Sequence, residues 1–181
     1  MKRIGLILII LLIAFSSGCT DNGQSKVVEK GDNVSVDYVG KFDNGTVFDT
    51  SLIDVAKKAG LYDANRTYEP MSFIVGTGQL ISGFENGVLN MTVDEEKTLK
   101  LSPDEAYGEY NEEYLVPVPK SDLENASIVP EIGKQVGTLM GVATIVDITD
   151  SNVTLDFNSP LAGKNLTFDV TVVSIEKASK E

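Results

Sequence analysis

Every second residue between Leu166 and Val172 is apolar: Leu166, Phe168, Val170 and Val172 alternate with Thr167, Asp169 and Thr171. Such a set shares one face only on a pleated strand, where successive side chains point to opposite sides of the backbone. The same period recurs at Val34, Val36 and Tyr38, at Met71, Phe73 and Val75, and at Leu99 and Leu101. Asn44-Gly45 predicts a hairpin that folds a second strand, residues 46–50, onto the first. Helical spacing is confined to two short stretches: Leu52, Val55, Ala56 and Ala59, which stop at Gly60, and Leu80, Ile81, Phe84 and Val88. The expected class is therefore α+β, mainly sheet with little helix. At 181 residues, 42% of them hydrophobic, the chain is long enough for one such core and a small second unit.

About sixty residues separate Tyr107 from the last strand, and a connection that long is rarely structureless inside a compact domain. Residues 142–148 and 153–157 alternate on either side of an Asp150-Ser151 turn, which predicts an inserted mainly-β unit at about residues 112–161. Its residues Leu139, Met140, Val142, Ile145, Val146 and Ile148 are more apolar than a fully solvated hairpin needs.

The first residues stand apart. Lys2 and Arg3 precede an apolar run over residues 4–15, and Ser16, Ser17 and Gly18 are small, which is the order of a secretory signal. That run is shorter than the roughly 20 residues a transmembrane helix needs. Cys19, the only cysteine, follows the small residues where a lipoprotein signal places the thiol that receives a diacylglycerol. Ser16 stands where such signals usually carry an aliphatic residue, and a chance thiol in an ordinary signal or an uncleaved anchor is the competing reading. Residues 1–18 are thus expected to be a signal peptide and residues 19–30 a flexible tether, with the protein lipid-anchored on the extracytoplasmic face of the membrane.

The net charge of −12 becomes about −14 without Lys2 and Arg3. Such an acidic surface repels nucleic acid, which is not expected as a partner. Seven of the eleven asparagines begin an Asn-X-Ser/Thr sequon: Asn33, Asn44, Asn65, Asn90, Asn125, Asn152 and Asn165. At this Ser and Thr content, chance predicts about one or two, and the surplus points to export in a cell that N-glycosylates its surface proteins.

Much chemistry is excluded by composition. There is no histidine, no tryptophan and no second cysteine, so histidine triads and Cys/His zinc sites are unavailable. Gly76-Thr77-Gly78 lacks the Gly-Lys-Ser/Thr that completes a phosphate loop, and Asp94, Glu95 and Glu96 read as solvated surface. What remains is an ordered series of aromatics, Tyr38, Phe48, Phe73, Phe84, Tyr107 and Phe168, each of which taken singly reads as core.

Their setting resembles the FKBP family. The likeness runs through Val36-Asp37-Tyr38-Val39-Gly40, Gly45-Thr46-Val47-Phe48-Asp49-Thr50-Ser51, and Gly78-Gln79-Leu80-Ile81-Ser82-Gly83-Phe84-Glu85-Asn86-Gly87-Val88. It continues in Pro103-Asp104-Glu105-Ala106-Tyr107-Gly108 and Leu166-Thr167-Phe168-Asp169-Val170. Tyr114-Leu115-Val116-Pro117-Val118-Pro119-Lys120 and Pro160-Leu161-Ala162-Gly163-Lys164 resemble the two ends of the chaperone insert in the SlyD-like branch.

The resemblance implies an antiparallel, twisted half-barrel sheet wrapped on a short helix. Residues 31–111 and 162–176 would form a discontinuous isomerase domain, with the insert in its flap. It implies a peptidyl-prolyl cis/trans isomerase in which Tyr38, Asp49, Tyr107 and Phe168 serve catalysis and Phe48, Met71, Leu80, Ile81 and Phe84 bind substrate. Expected partners are proline-containing unfolded polypeptides, met by a monomer that needs no cofactor. The histidine-rich metal tail of bacterial members has no counterpart, so no metal site is expected. Phe84 stands where tryptophan is frequent and Met71 where many members have an aromatic. A non-catalytic holdase on the same scaffold is the rival reading. A two-lobed solute-binding lipoprotein would need a longer chain.

Overall fold

The computed structural model describes residues 26–179. Cys19 and the apolar leader lie outside the described residues, and no helix within them is long and apolar enough to cross a membrane. Two antiparallel sheets carry the architecture, with few and short helices between them.

The first sheet is organised by β1 (Asn33–Phe42) and β9 (Leu166–Glu176), which pair along their whole length. β4 (Glu96–Leu101) adds to the far edge of β9. The other edge of β1 is shared. β2 (Val47–Thr50) pairs with residues 39–41 and β3 (Met71–Ile74) with residues 33–36, leaving Asp37 and Tyr38 at the break. There the Tyr38 N–H donates to Ser51 Oγ (3.0 Å), and the Tyr38 carbonyl accepts from Thr50 Oγ1 (2.7 Å) and the Ser51 N–H (3.1 Å). The backbone groups that the split edge leaves unpaired are thus satisfied by side chains and a neighbouring amide.

The expected alternation of β9 holds from Leu166 to Val172 and then slips. Ser35 faces Ser174 while Val36 faces Val172, so Val173 is the extra residue of a bulge. It turns outward, and Ile175 returns to the core.

Helix α1 (Ile53–Ala59) ends at Gly60 in the left-handed region (φ 73°), as its sequence predicts. The second helix differs from expectation: α2 (Ser82–Gly87) starts after Leu80 and Ile81, which lie in the preceding loop. The cause is Glu85, whose buried carboxylate accepts N–H bonds from Gly76 (2.9 Å), Gly78 (3.3 Å) and Leu80 (3.1 Å) and so holds residues 76–80 as a turn. Burial raises the Glu85 pKa, but these backbone bonds outweigh it and keep it below the usual carboxylate range. α2 lies close against β4 because a Cβ on Gly83 or Gly87 would strike Leu101 or Leu99 at 2.6 and 2.5 Å. Phe84 and Val88 then pack into the core with Phe73, Leu99, Phe168 and Val170.

The fold begins earlier than the sequence suggests. Val28, assigned to the tether, is fully buried in the first core, and the Val28 N–H donates to the Met91 carbonyl (2.8 Å). A lone Val27-Val28 pair has no periodicity to announce it, yet an isolated bridge to Thr92 docks it. At the other end Lys177 reaches back to Asp32 (2.9 Å), Glu29 (2.6 Å) and the Val27 carbonyl (3.0 Å).

The second sheet has the order β5-β8-β7-β6, built from β5 (Leu115–Pro119), β6 (Gln135–Thr138), β7 (Gly141–Ile148) and β8 (Asn152–Asp156), with α3 (Lys120–Asn125) beside β5. Pro117 and Pro119 sit on β5, an edge strand, where a missing N–H breaks no ladder. Leu123, Val136, Ala143, Ile145, Val153 and Leu155 form its own core. Of the residues whose apolar character exceeds what a solvated hairpin needs, Ile145 is thus accounted for by the core. Its neighbour Val146 faces outward, and the register shift between Ile145 and Asp147 then brings Ile148 rather than Asp147 to the core. The two sheets join through a narrow neck, where the Gly163 N–H donates to the Gly108 carbonyl (2.8 Å) and Asn158 Nδ2 to the Asn111 carbonyl (2.9 Å).

Candidate active site

An open pocket of about 230 Å³ lies where β1, β2, β3, β9 and the loop before α2 meet. Tyr38, Asp49, Met71, Gln79, Leu80, Ile81, Phe84, Tyr107 and Phe168 line it. A larger depression of about 470 Å³ at Phe42, Asp43, Asn44 and Lys164 is more open and has a single ring, so no rings converge in it.

The inward positions of three elements supply the floor. Tyr38 comes from β1, Phe84 from α2 and Phe168 from β9. The rings of Phe84 and Phe168 meet edge to face at 5.3 Å, and those of Tyr38 and Phe84 at 6.4 Å. Such T-shaped pairs fix ring orientation beyond what burial alone would do. Phe48, expected in the lining, is not there. Gly40 pairs with Asp49 and Lys41 with Val47, so Phe48 is the extra residue of a bulge and strict alternation does not apply to it. Its ring lies over Gly40, where a Cβ would come within 2.7 Å, and meets Phe168 edge to face at 5.6 Å. Phe48 therefore supports the wall from behind.

One polar cluster stands at the rim. The Tyr38 hydroxyl donates to Asp49 Oδ2 (2.7 Å), and Arg66 pairs with Asp49 Oδ1 while its other nitrogen donates to Tyr38 Oη (3.2 Å) and the Thr50 carbonyl (3.1 Å). Burial, then the bond to Asp49, pushes the Tyr38 pKa up to about 12, with Arg66 opposing; the ring stays a neutral donor throughout the physiological range. Hydrogen bonding to Asp49 outweighs desolvation and holds Arg66 above the ordinary arginine value.

Arg66 lies outside any periodic segment, so no sequence pattern announces it. It is delivered by a loop folded on itself, in which Tyr62 and Tyr68 stack at 5.8 Å, the Asp63 N–H donates to Tyr68 Oη (3.0 Å) and Arg66 lies over the Tyr68 ring. Gln79 is a second unexpected residue of the site; its Oε1 accepts from the Ile74 N–H (3.1 Å), pinning the loop to β3.

Two groups face the opening. Ile81 occupies the position before the first turn of α2, where a backbone N–H has no partner in the helical ladder. Tyr107 is 44% exposed; partial burial, then the negative charge of Asp49, raises its pKa, so it too is a neutral donor. The arrangement offers an apolar, aromatic cleft with neutral donors at its edge. Among the described residues no cluster of His, Cys, Asp and Glu could hold a metal ion.

Comparison with known proteins agrees with this geometry. Residues 24–173 match the family described as FKBP-type peptidyl-prolyl cis-trans isomerase. The chain is 43% identical over 155 residues to a short-type peptidyl-prolyl cis-trans isomerase of Methanocaldococcus jannaschii, spanning 86% of this chain and 98% of that protein. It is 35% identical over 122 residues to the FKBP-type isomerase SlyD of Helicobacter pylori, spanning 66% of each. A third relative, FK506-binding protein 2 of Yarrowia lipolytica, is 38% identical over 94 residues, 52% of this chain and 56% of that protein. The chain belongs to the FKBP-type peptidyl-prolyl cis-trans isomerase family.

Proposed function

We propose that the protein accelerates X-Pro isomerisation in exported polypeptides from the outer face of the cell membrane, held there as a monomer by a lipid on Cys19, and that its second sheet captures unfolded chain for the pocket. The observation that carries the catalytic reading is the convergence of Tyr38, Phe84 and Phe168 beneath the neutral donors of Tyr107 and Ile81.

Amide resonance sets a barrier of roughly 18–20 kcal/mol to X-Pro rotation, and uncatalysed exchange takes about 10–100 s. No bond is made or broken, so the catalyst need only favour the twisted amide. The planar amide has the larger dipole, and an apolar floor withdraws the water that stabilises it. In this reading Ile81 N–H and Tyr107 O–H hold substrate carbonyls flanking the proline, while Asp49 and Arg66 keep Tyr38 oriented at the wall. Catalysis then rests on preorganised groups rather than on proton transfer.

Capture is supported by exposed apolar side chains on the second sheet. Leu139, Met140 and Val142 lie at the β6–β7 turn, and Val129 and Ile132 on the loop before β6. Holding an unfolded chain beside the pocket raises the local concentration of X-Pro bonds without any new catalytic contact. The basic start, apolar run and Cys19 support export and anchoring.

The test is isomerisation of short X-Pro peptides, and refolding of a proline-limited protein, by the chain starting at Gln24. Phe168→Ala and a version with residues 112–161 replaced by a short glycine linker would be measured alongside. Peptide activity lost only in Phe168→Ala, with refolding activity lost in both, is expected; no activity in the parent would leave a non-catalytic holdase. A Cys19→Ser variant of the full chain is expected to leave the membrane fraction, and its retention there would discard the lipid.

A further inference from the structure

We propose that Asn44 and Asn125 are N-glycan attachment sites, one on each sheet. The inference rests on the export proposed above.

All seven sequon asparagines are exposed, whereas the half-buried Asn111 and Asn158, which hydrogen-bond across the neck, carry no sequon. Exposure of the asparagine is not sufficient. Transfer also needs a free amide nitrogen and access to the hydroxyl residue two places on, and the fold sorts the sequons by these criteria. Asn33, Asn65 and Asn165 donate through Nδ2 to Glu176 (3.0 Å), Asp63 (3.1 Å) and Asp43 (3.2 Å). Thr92 is half-buried and tied to Glu95 (3.2 Å), and Thr154 is half-buried inside β8, which disfavours Asn90 and Asn152.

At Asn44 and Asn125 both the asparagine and the hydroxyl residue, Thr46 or Ser127, are exposed, and no described residue engages the amide nitrogen. Each sits at a chain reversal. Asn44 is at the hairpin tip, where its Oδ1 accepts the Thr46 N–H (2.9 Å) and leaves Nδ2 to solvent. Asn125 is the last residue of α3, and Ser127 adopts a left-handed φ of 58° just beyond it. Neither lines the aromatic pocket, so a glycan at either leaves its mouth open.

The donor this chemistry requires is a lipid-linked oligosaccharide. Nδ2 attacks C1 of its first sugar, a C1–N bond forms as the C1–O bond breaks, the polyprenyl phosphate departs with the electron pair, and one amide proton passes to a base of the transferase.

The full-length protein would be isolated from the cells that naturally make it and mapped by glycopeptide mass spectrometry, beside protease shaving of intact cells. Sugar on the peptides containing Asn44 and Asn125 is expected, with one glycan lost in Asn44→Gln, in Asn125→Gln and in Thr46→Val, and none in Thr46→Ser. Bare peptides at both positions on a protein that shaving removes would overturn the inference alone, as would sugar confined to the other five sequons. A protein protected from shaving would overturn the export reading as well.

Discussion

The two sheets keep apolar groups near solvent in opposite ways. In the first they line a recess whose rings are set edge to face and whose rim is tied by Asp49, Arg66 and Tyr38. In the second, the core is made of small and aliphatic residues, and Leu139, Met140 and Val142 stand out from a hairpin turn with nothing packed over them. A recess with fixed walls suits one geometry, such as a single twisted amide. A flexible thioether and aliphatic side chains on a turn suit many sequences, none of them tightly.

The largest effect that would break this contrast is at Phe168, which touches Tyr38, Phe48 and Phe84. Phe168→Ala is expected to cost about 3–5 kcal/mol of stability. Phe168→Leu, which stays apolar and removes far less volume than alanine, should stay folded by thermal melting while peptide isomerisation falls by about tenfold or more, the equivalent of about 1.4 kcal/mol in the barrier.

Next in size is Glu85. Its folded-state pKa lies below the ordinary 4.5, so its contribution to stability is complete above about pH 4.5 and fades as pH falls through the folded value. Glu85→Gln is expected to cost about 1–2 kcal/mol at pH 7 and to flatten the acid limb of the denaturation profile. An unchanged limb would mean that residues 76–80 are held by something else.

Arg66→Gln removes bonds to Asp49, Tyr38 and Thr50, but the ion pair is partly exposed, and solvent screening reduces its worth to about 0–1 kcal/mol of stability. A fall in kcat/KM of about three- to tenfold with little change in Tm is expected; equal loss of both would make Arg66 merely structural. The smallest effect belongs to the second sheet. Leu139→Ser with Met140→Ser should alter stability by less than about 0.5 kcal/mol and leave peptide isomerisation unchanged, while refolding of the protein substrate slows.

Most of the first sheet was legible because its strands face solvent on one side only, and period-two alternation records that directly. The wall residues Tyr38, Asp49, Met71, Leu80, Ile81, Phe84, Tyr107 and Phe168 could be named from ordered motifs, and the structure brings them to one recess. Phe48 sits at the bulge of β2, and motif membership does not say where a ladder slips. Arg66 was invisible for a different reason: its place depends on a loop closed by Tyr62 and Tyr68, contacts that leave no local pattern. Val28 and Ile148 show the same limit, since a bridge and a register slip decide their burial.

The tie between Lys177 and Asp32 has a mechanical consequence. Asn33 and Glu176 form the terminal rung of the β1–β9 ladder, so both chain ends leave from the same end of an antiparallel pair. Tension between those ends would unzip the central strands rung by rung, the weakest way to load a sheet. Lys177, gripping Asp32, Glu29 and the Val27 carbonyl, sits ahead of that rung and acts as its latch.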